Sequence, residues 1–182
     1  MAKPRSLPRS WHPFALPVLA MAVVVVASNI LVGYPINDWL TWGALTYPVA
    51  FLVTDVTNRR FGPRAARRVV YVGFALAVVL SVVLASPRIA LASGSAFLVA
   101  QTLDIQVFDR LRDQVWWLPP LVSSLLGSAL DTALFFTLAF YGTGLPWIGW
   151  GIGDFGVKVT VALLLLPAFR VLVRGRDPAV AQ

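Results

Sequence analysis

Several residue types that carry chemistry in enzymes are scarce or missing in this chain. Its 182 residues include no cysteine and one histidine, His12, and all eight acidic residues are aspartate. The absence of cysteine excludes disulfides, thiolate metal sites and cysteine nucleophiles. A single histidine near the N-terminus provides neither a histidine metal cluster nor a histidine-based catalytic pair.

Charged residues are also scarce. Asp, Glu, Lys and Arg make up 13% of the chain, whereas soluble domains carry about a quarter. Hydrophobic residues make up 58%, and the mean hydropathy is +0.77. These values exclude an ordinary soluble domain, and the 12% aromatic content excludes disorder. The sequence predicts an all-α, polytopic integral membrane protein with room for roughly six helices of about 20 residues each.

Apolar runs separated by polar connections predict a bundle of six transmembrane helices. The first run follows a basic segment, as in a signal peptide, but it is long for one and equally apolar runs follow it. We therefore predict a first helix rather than a cleaved leader. The predicted spans are residues 14–33, 42–57, 69–86, 89–108, 116–141 and 154–173, with tails at 1–13 and 174–182.

The positions of the cations predict the orientation of this bundle. If the N-terminus is inside, thirteen of the fifteen Lys and Arg residues lie at the inner side. Arg88 then lies in an outer connection and Lys158 within the last span. Membrane proteins concentrate such residues in cytoplasmic loops, so we predict that both termini are cytoplasmic. The net charge of +7 then reflects topology, and we expect no nucleic-acid partner.

Asp131 is the most informative of the polar residues inside the predicted spans. Intramembrane carboxylates are costly and normally face a partner or a water-filled cavity. Ser124, Ser128 and Thr132 lie on the same helix face as Asp131, and Gly127 leaves room beside it. A packing seam of small residues explains the serines and the glycine. It does not explain the carboxylate, so we predict a substrate or proton role for Asp131.

The fourth span carries a second polar face. Phe97, Gln101 and Asp104 follow one another at i, i+4 and i+7. An aromatic ring, an amide and a carboxylate together suit a planar solute that forms hydrogen bonds. The alternative for Asp104 is a solvated position near the inner boundary, paired with Arg110.

Asp154 and Lys158 form the third polar feature, at i, i+4 in the last span. This spacing suits an ion pair, and Asp154 is predicted at the helix N-terminus, where the helix dipole favours an anion. The pair either neutralises Lys158 structurally or opens when substrate or a proton binds. Asn29 in the first span is either a packing amide or a ligand.

Four segments, in order along the chain, carry a family resemblance. They are LTYPVAFLVTDVTNRRFGPRAARRVVYVGF, RIALASGSAFLVAQTLDIQVFDRLR, SSLLGSALDTALFF and DFGVKV. Together they resemble the bacterial queuosine precursor transporter family, also called the vitamin uptake transporter (VUT) family. The resemblance implies a six-helix inner-membrane protein that imports 7-deazaguanine bases, such as 7-cyano-7-deazaguanine and its aminomethyl relative, for queuosine modification of tRNA.

The family pattern coincides largely with the polar residues selected above. It adds Thr54 and Asp55 in the second span, and Arg88 and Ser93 at the start of the fourth. The residues expected to bind substrate are Asp131, Gln101, Asp104, Thr132, Ser128, Phe97, Arg88 and Asn29. The residues expected to act in coupling or gating are Asp154, Lys158 and Asp55. The chain departs from the family in its short connection between spans three and four and in Arg59, where members often carry an acid.

The expected mechanism is alternating access around a mid-membrane site. The sequence contains no nucleotide-binding loop, so direct ATP hydrolysis is excluded, and no cofactor or metal is expected. The expected partners are a small deazapurine base and the lipid bilayer, and a homo-oligomer is left open. The alternative is a substrate-capture subunit of an ATP-driven vitamin or nucleobase importer. A membrane enzyme or assembly scaffold is the third hypothesis, and no nucleophile–base pair supports an enzyme.

Overall fold

The structure, a computed structural model, describes residues 12–31, 34–37, 40–84 and 87–174. This part of the chain is almost entirely helical, which confirms the all-α class. A short antiparallel ribbon of two strands connects the first two helices. The elements are α1 (His12–Leu31), β1 (Pro35–Asn37), β2 (Leu40–Thr41), α2 (Trp42–Thr46), α3 (Val49–Phe61), α4 (Pro63–Leu84), α5 (Pro87–Leu111), α6 (Leu118–Phe140) and α7 (Trp147–Val173).

Three helices in the described part of the chain are long and apolar enough to cross a membrane. They are α5, α6 and α7, and α1 carries a shorter apolar stretch over Phe14–Ser28. Large apolar side chains such as Leu16, Leu91 and Leu164 point outward. Such an exposed apolar surface suits lipid rather than water.

Small side chains allow the polar helices to approach one another closely. A Cβ atom added to Gly127 of α6 would lie 2.7 Å from Cε1 of Phe51 in α3 and 3.3 Å from the carbonyl oxygen of Ala100 in α5. Only glycine fits this crossing without displacing a neighbour. The room predicted beside Gly127 is therefore filled by α3 and α5.

The apolar core lies mainly between α1, α4 and α5. Met21, Val69, Phe97 and Ile105 are among its fully or almost fully buried side chains. A smaller cluster of Phe108, Phe169 and Val173 joins the ends of α5 and α7. These two clusters hold the helices that carry the polar side chains.

Several helix boundaries differ from the predicted spans. The arginine-rich connection before the third span is partly helical, since α4 begins at Pro63 rather than at residue 69. The glycine-rich run at 142–153 lies between the predicted spans 116–141 and 154–173, but α7 begins within it, at Trp147. Trp150 packs edge-on against Phe140 at 5.6 Å between ring centroids, which stabilises this early turn. Asp154 therefore lies inside α7, and the predicted helix-dipole role for it is wrong. The predicted span 42–57 is divided at Pro48 into α2 and α3.

Candidate functional site

Buried polar side chains form two clusters inside the bundle. The first, here called the ion cluster, consists of Tyr47, Asp131, Thr132, Asp154 and Lys158. The second, here called the carboxyl cluster, consists of Thr54, Asp55, Gln101, Asp104, Ser123 and Ser124. The two clusters are two helical turns apart along α6, which contributes side chains to both.

Lys158 is the centre of the ion cluster. Its Nζ lies 2.8 Å from Oδ2 of Asp131 and 2.5 Å from Oδ2 of Asp154. The ammonium also donates to Oγ1 of Thr132 at 3.0 Å. The ion pair predicted within α7 is therefore present, and Asp131 of α6 joins it across the helix interface. One cation is shared between two carboxylates, so the cluster carries a net negative charge when all three groups are ionised.

Tyr47, at the break between α2 and α3, closes the ion cluster. Its hydroxyl donates to Oδ1 of Asp131 at 3.1 Å, and its ring lies 5.5 Å from Nζ of Lys158. Thr132 donates to Oδ2 of Asp154 at 2.7 Å. Phe97 packs edge-on against the Tyr47 ring, with 6.2 Å between centroids. Each charged group in this cluster therefore has at least one hydrogen-bonding partner.

In the carboxyl cluster, each carboxylate oxygen of Asp55 accepts a hydrogen bond from a serine hydroxyl. Ser123 donates to its Oδ1 and Ser124 to its Oδ2, both at 3.1 Å. Thr54 in the same helix donates to Oε1 of Gln101 at 2.6 Å. These bonds connect α3 to α6 and to α5 within the bundle.

Asp104 and Gln101 contrast with Asp55. Both Asp104 oxygens and Nε2 of Gln101 are buried and have no hydrogen-bond partner within the described part of the chain. The carboxyl group of Asp104 also adjoins that of Asp55. A buried polar atom without a partner costs free energy. A proton, a water molecule or a bound solute would therefore satisfy more unpaired polar atoms beside Asp104 than elsewhere in the two clusters.

A cleft connects the two clusters between α3, α6 and α7. The cavity within it has a volume of about 20 Å³. A volume of this size holds about one water molecule. The polar residues that line the cleft are Asp55, Ser124, Ser128 and Lys158, and Phe51 is one of its aromatic walls.

The predicted site residues whose side chains are described fall into four groups in the structure. Ser128, Asp55 and Lys158 line the cleft. Asp131, Thr132, Asp154, Gln101 and Asp104 belong to the two clusters behind it. Phe97 lies in the apolar core behind Tyr47. The side chain of Asn29 lies outside the described residues.

Arg88 forms the fourth group, because it lies away from both clusters. Its Nε donates to the carbonyl oxygen of Leu138 at 3.0 Å and its Nη2 to that of Tyr141 at 2.6 Å. These carbonyls end α6 and lack partners within the helix. In this conformation Arg88 therefore stabilises the end of α6. The alternative pairing of Asp104 with Arg110 is also not formed, since both Asp104 oxygens are unpartnered in the described part of the chain.

Sequence reasoning missed three residues of the site. Tyr47, Ser123 and Phe51 were not selected, although each contacts a cluster or the cleft. A buried tyrosine hydroxyl needs a hydrogen-bond partner. Tyr47, beside Pro48 in an apolar run, could therefore have been selected as a polar residue that bonds another helix. Ser123 and Phe51 carry no comparable signal, because serine and phenylalanine are common in packed membrane helices.

Comparison with known proteins places this chain in a family. The family model described as "Putative vitamin uptake transporter" matches residues 41–86 and 80–172, a region that contains both clusters. The chain belongs to the vitamin uptake transporter family. No solved structure matches it significantly.

This vitamin uptake transporter family member is similar to curated proteins over most of its length. It is 34% identical to the "Queuosine precursor transporter" of Escherichia coli, over 83% of this chain and 82% of that protein. It is 33% identical to the "Probable queuosine precursor transporter" of Haemophilus influenzae, over 82% of each chain. A Bacillus subtilis protein of the latter name is 30% identical over 70% of this chain and 69% of its own. Transporter relatives and three apolar helices together indicate a multi-pass membrane protein.

Proposed function

We propose that this protein imports a queuosine precursor, a 7-deazaguanine base, across the bacterial inner membrane for tRNA modification. The names of three relatives support the substrate class. The structural observation that carries the proposal is the cleft between α3, α6 and α7. It presents a carboxylate at Asp55 and an ammonium at Lys158, and charged groups inside apolar helices normally mark a substrate or ion pathway.

The edges of a deazaguanine match the chemistry of this cleft. The base presents a ring N–H beside an amino group, and one carboxylate can accept from both. Asp55 is suited to that edge, and Lys158 is suited to donate to the carbonyl of the base. Phe51 provides an aromatic face for stacking, and Ser128 lies along the same wall.

The narrowness of the cleft supports alternating access. A bicyclic base needs far more room than one water molecule, so the helices around the cleft must separate to admit it. The cleft lies between α3 and the α6–α7 pair, and relative movement of these elements opens it. Transporters of this type bind substrate near the middle of the membrane and expose it to one side at a time.

Six spans with both termini in the cytoplasm are the topology that we propose, with α2 and α3 together forming the second span. Contacts among the cationic helix ends support it. Nη2 of Arg112, after α5, donates at 2.8 Å to the carbonyl oxygen of Asn58 near the end of α3, and Arg60 donates to the carbonyl oxygen of Leu172 in α7. The basic ends of α3, α5 and α7 therefore lie at the same end of the bundle, as a cytoplasmic face requires.

The transporter proposal assigns no catalysis and no cofactor to this chain. The names of the relatives support a transporter and give no support to a substrate-capture subunit of an ATP-driven importer. Uptake of 7-cyano-7-deazaguanine by liposomes that contain this protein alone is the measurement that separates the two. We expect uptake without any second protein, and binding without uptake contradicts the proposal.

A cellular experiment tests the site. A strain that lacks precursor synthesis and its own transporter is supplied with a low concentration of 7-cyano-7-deazaguanine, and queuosine in tRNA is measured. We expect the wild-type chain to restore queuosine and Asp55→Ala to fail. Asp113→Ala is the matched control, because Asp113 is exposed after α5 and outside both clusters. Full restoration by Asp55→Ala contradicts the assignment of the cleft.

A further inference from the structure

The inference concerns Asp55 and Asp104, two buried carboxyl groups that face each other between α3 and α5. Asp55 is 2% exposed and Asp104 is 0% exposed, and the two groups adjoin. Neither forms an ion pair with a described cation. Two adjoining carboxylates without a counterion do not both stay charged when they are removed from water.

The hydrogen bonds show which of the two groups is the anion. Both oxygens of Asp55 accept serine hydroxyls, which stabilises a carboxylate. Neither oxygen of Asp104 accepts a hydrogen bond of normal geometry in the described part of the chain, and Ser123, which lies near both carboxyl groups, directs its hydroxyl to Asp55. A buried carboxyl group with no donor is far less costly when it is neutral. The single proton of the pair therefore belongs on Asp104.

We next consider whether another titratable group on the neighbouring helices neutralises the charge of the Asp55–Asp104 pair. Tyr47, Asp131 and Asp154 are engaged in the ion cluster. Arg170 of α7 lies over the ring of Trp116. The remaining groups are Arg59 and Arg60 at the end of α3, Arg88, Asp109 and Arg110 near the ends of α5, and the exposed Arg64, Arg67, Arg68 and Tyr71 of α4. Arg59 donates to the carbonyl oxygen of Arg112. Lys158 is the cation that lines the same cleft as Asp55.

Asp55 links the proton to the substrate, because it adjoins Asp104 on one side and the cleft on the other. When Asp104 is protonated, Asp55 is free to accept the donor edge of the base. When Asp104 loses its proton, the doubled negative charge attracts Lys158 toward Asp55, where it competes with the base. Proton binding and base binding therefore favour each other, and such coupling is reciprocal.

We propose that the Asp55–Asp104 pair is the proton site of this transporter, and that a proton bound at Asp104 enters the cell together with the base bound at Asp55. The coupling rests on the proposed transport function, whereas the location of the proton does not. The proton comes from the outer aqueous phase when the cleft opens outward. It returns to water when the cleft opens to the cytoplasm and the pair is hydrated.

Infrared spectroscopy of the purified full-length protein tests the location of the proton without any transport. We expect the wild type at neutral pH to show the C=O stretch of a protonated carboxylic acid, which shifts on exchange into heavy water. The band is lost in Asp104→Asn and kept in Asp113→Asn. A spectrum without this band, or a band that survives Asp104→Asn, overturns the assignment.

Uptake into proteoliposomes tests the coupling. With labelled 7-cyano-7-deazaguanine outside, we expect the wild type to accumulate it several-fold when the outside is more acidic, and not when a protonophore removes the gradient. In Asp104→Asn the ratio of accumulation with and without the gradient falls to about one, while Asp113→Asn keeps the wild-type ratio. Accumulation of the base that does not change with the pH gradient, or that depends on a sodium gradient instead, overturns the proposal.

The two proposals fail in different ways in these experiments. Wild-type protein that moves no base in any gradient contradicts the transport function, and the infrared band then still decides where the proton lies. Wild-type protein that moves base without proton dependence contradicts the coupling alone. If Asp104→Asn does not fold, the wild-type arms of the uptake experiment decide the coupling by themselves.

Discussion

The ion cluster and the carboxyl cluster lie two turns apart along α6 and bury their carboxylates in different ways. In the ion cluster, Lys158 is shared by Asp131 and Asp154, and the hydroxyls complete the bonding. In the carboxyl cluster no described cation is in contact, and Asp104 has no hydrogen-bond partner in the described part of the chain. The first arrangement is complete without a ligand. The carboxyl cluster has unpaired buried oxygens that a bound proton would stabilise, which is why we place the proton there.

The largest expected effect comes from removing the cation of the ion cluster. Lys158→Ala leaves two carboxylates buried and unpaired, and loss of one partner of a buried ion pair costs about 3–5 kcal/mol in soluble proteins. We expect the unfolding free energy of the purified protein in detergent to fall on this scale. Lys158→Met combined with Asp131→Asn and Asp154→Asn is the control, because it removes all three charges together. Unchanged stability of Lys158→Ala contradicts a buried ion cluster.

The second prediction separates the two carboxylates that share Lys158. The Asp131 side chain is 6% exposed and that of Asp154 is 18% exposed, and Asp131 also accepts from Tyr47. We expect Asp131→Asn to lower base uptake at least about tenfold more than Asp154→Asn, a difference of roughly 1.4 kcal/mol. Initial uptake rates at matched protein levels measure it. If the two variants lower uptake equally, the Asp154–Lys158 pair within α7 matters as much as the Asp131–Lys158 contact between helices. If neither variant lowers uptake, the result favours the hypothesis that the protein is an assembly scaffold.

The third prediction concerns the packing that holds the two clusters in place. In Gly127→Ala the new Cβ lies 2.7 Å from Phe51, so Phe51 must move relative to the cleft that it lines. Overpacking of this kind costs about 1–3 kcal/mol, and we expect lower stability and slower uptake. Gly156→Ala in α7 is the matched control, because nothing lies within 4 Å of its added Cβ. Equal behaviour of the two variants contradicts the close crossing of α3, α5 and α6.

The smallest effect is expected from one hydroxyl of the carboxyl cluster. Thr54→Val removes the bond to Gln101 and leaves both amide atoms of Gln101 without a partner among the described residues, at a cost of about 1 kcal/mol. Thr57→Val is the control, because the Thr57 hydroxyl bonds only the carbonyl oxygen of Val53 in its own helix. Thermal unfolding of both variants measures the difference. A Thr54→Val protein as stable as Thr57→Val indicates that Gln101 is satisfied in another way.

The polar face of α6 was predictable from the sequence, whereas the partners of its residues were not. The spacing of Ser124, Ser128 and Asp131 fixes their common face because the helical repeat is regular. The sequence gives no measure of which helix lies opposite. Asp55 was therefore predicted as a gating residue without its serine partners, and Arg88 was predicted to bind substrate although it caps α6.

The boundaries of α7 show a second limit of sequence reasoning. Its first turns are rich in glycine, and the low helix propensity of glycine predicts a loop there. The helix nevertheless includes these glycines, and the ring of Trp150 packs edge-on against Phe140 in its first turn. This ring contact favours the early start, although by itself it is comparable only to the propensity cost of about one glycine. Because the helix starts early, Asp154 is far from its N-terminus.

By itself, the sequence determined that this protein belongs in a membrane, and it selected a few aspartates, one lysine and one glutamine as candidate site residues. Composition and helical periodicity suffice for that, since both are properties of single segments. The tertiary structure alone decided that Lys158 reaches Asp131 from another helix and that Asp104 lies beside Asp55 without a hydrogen bond of normal geometry from any described residue. Such contacts depend on how closely the helices approach, and that distance is set by the side chains of several helices together.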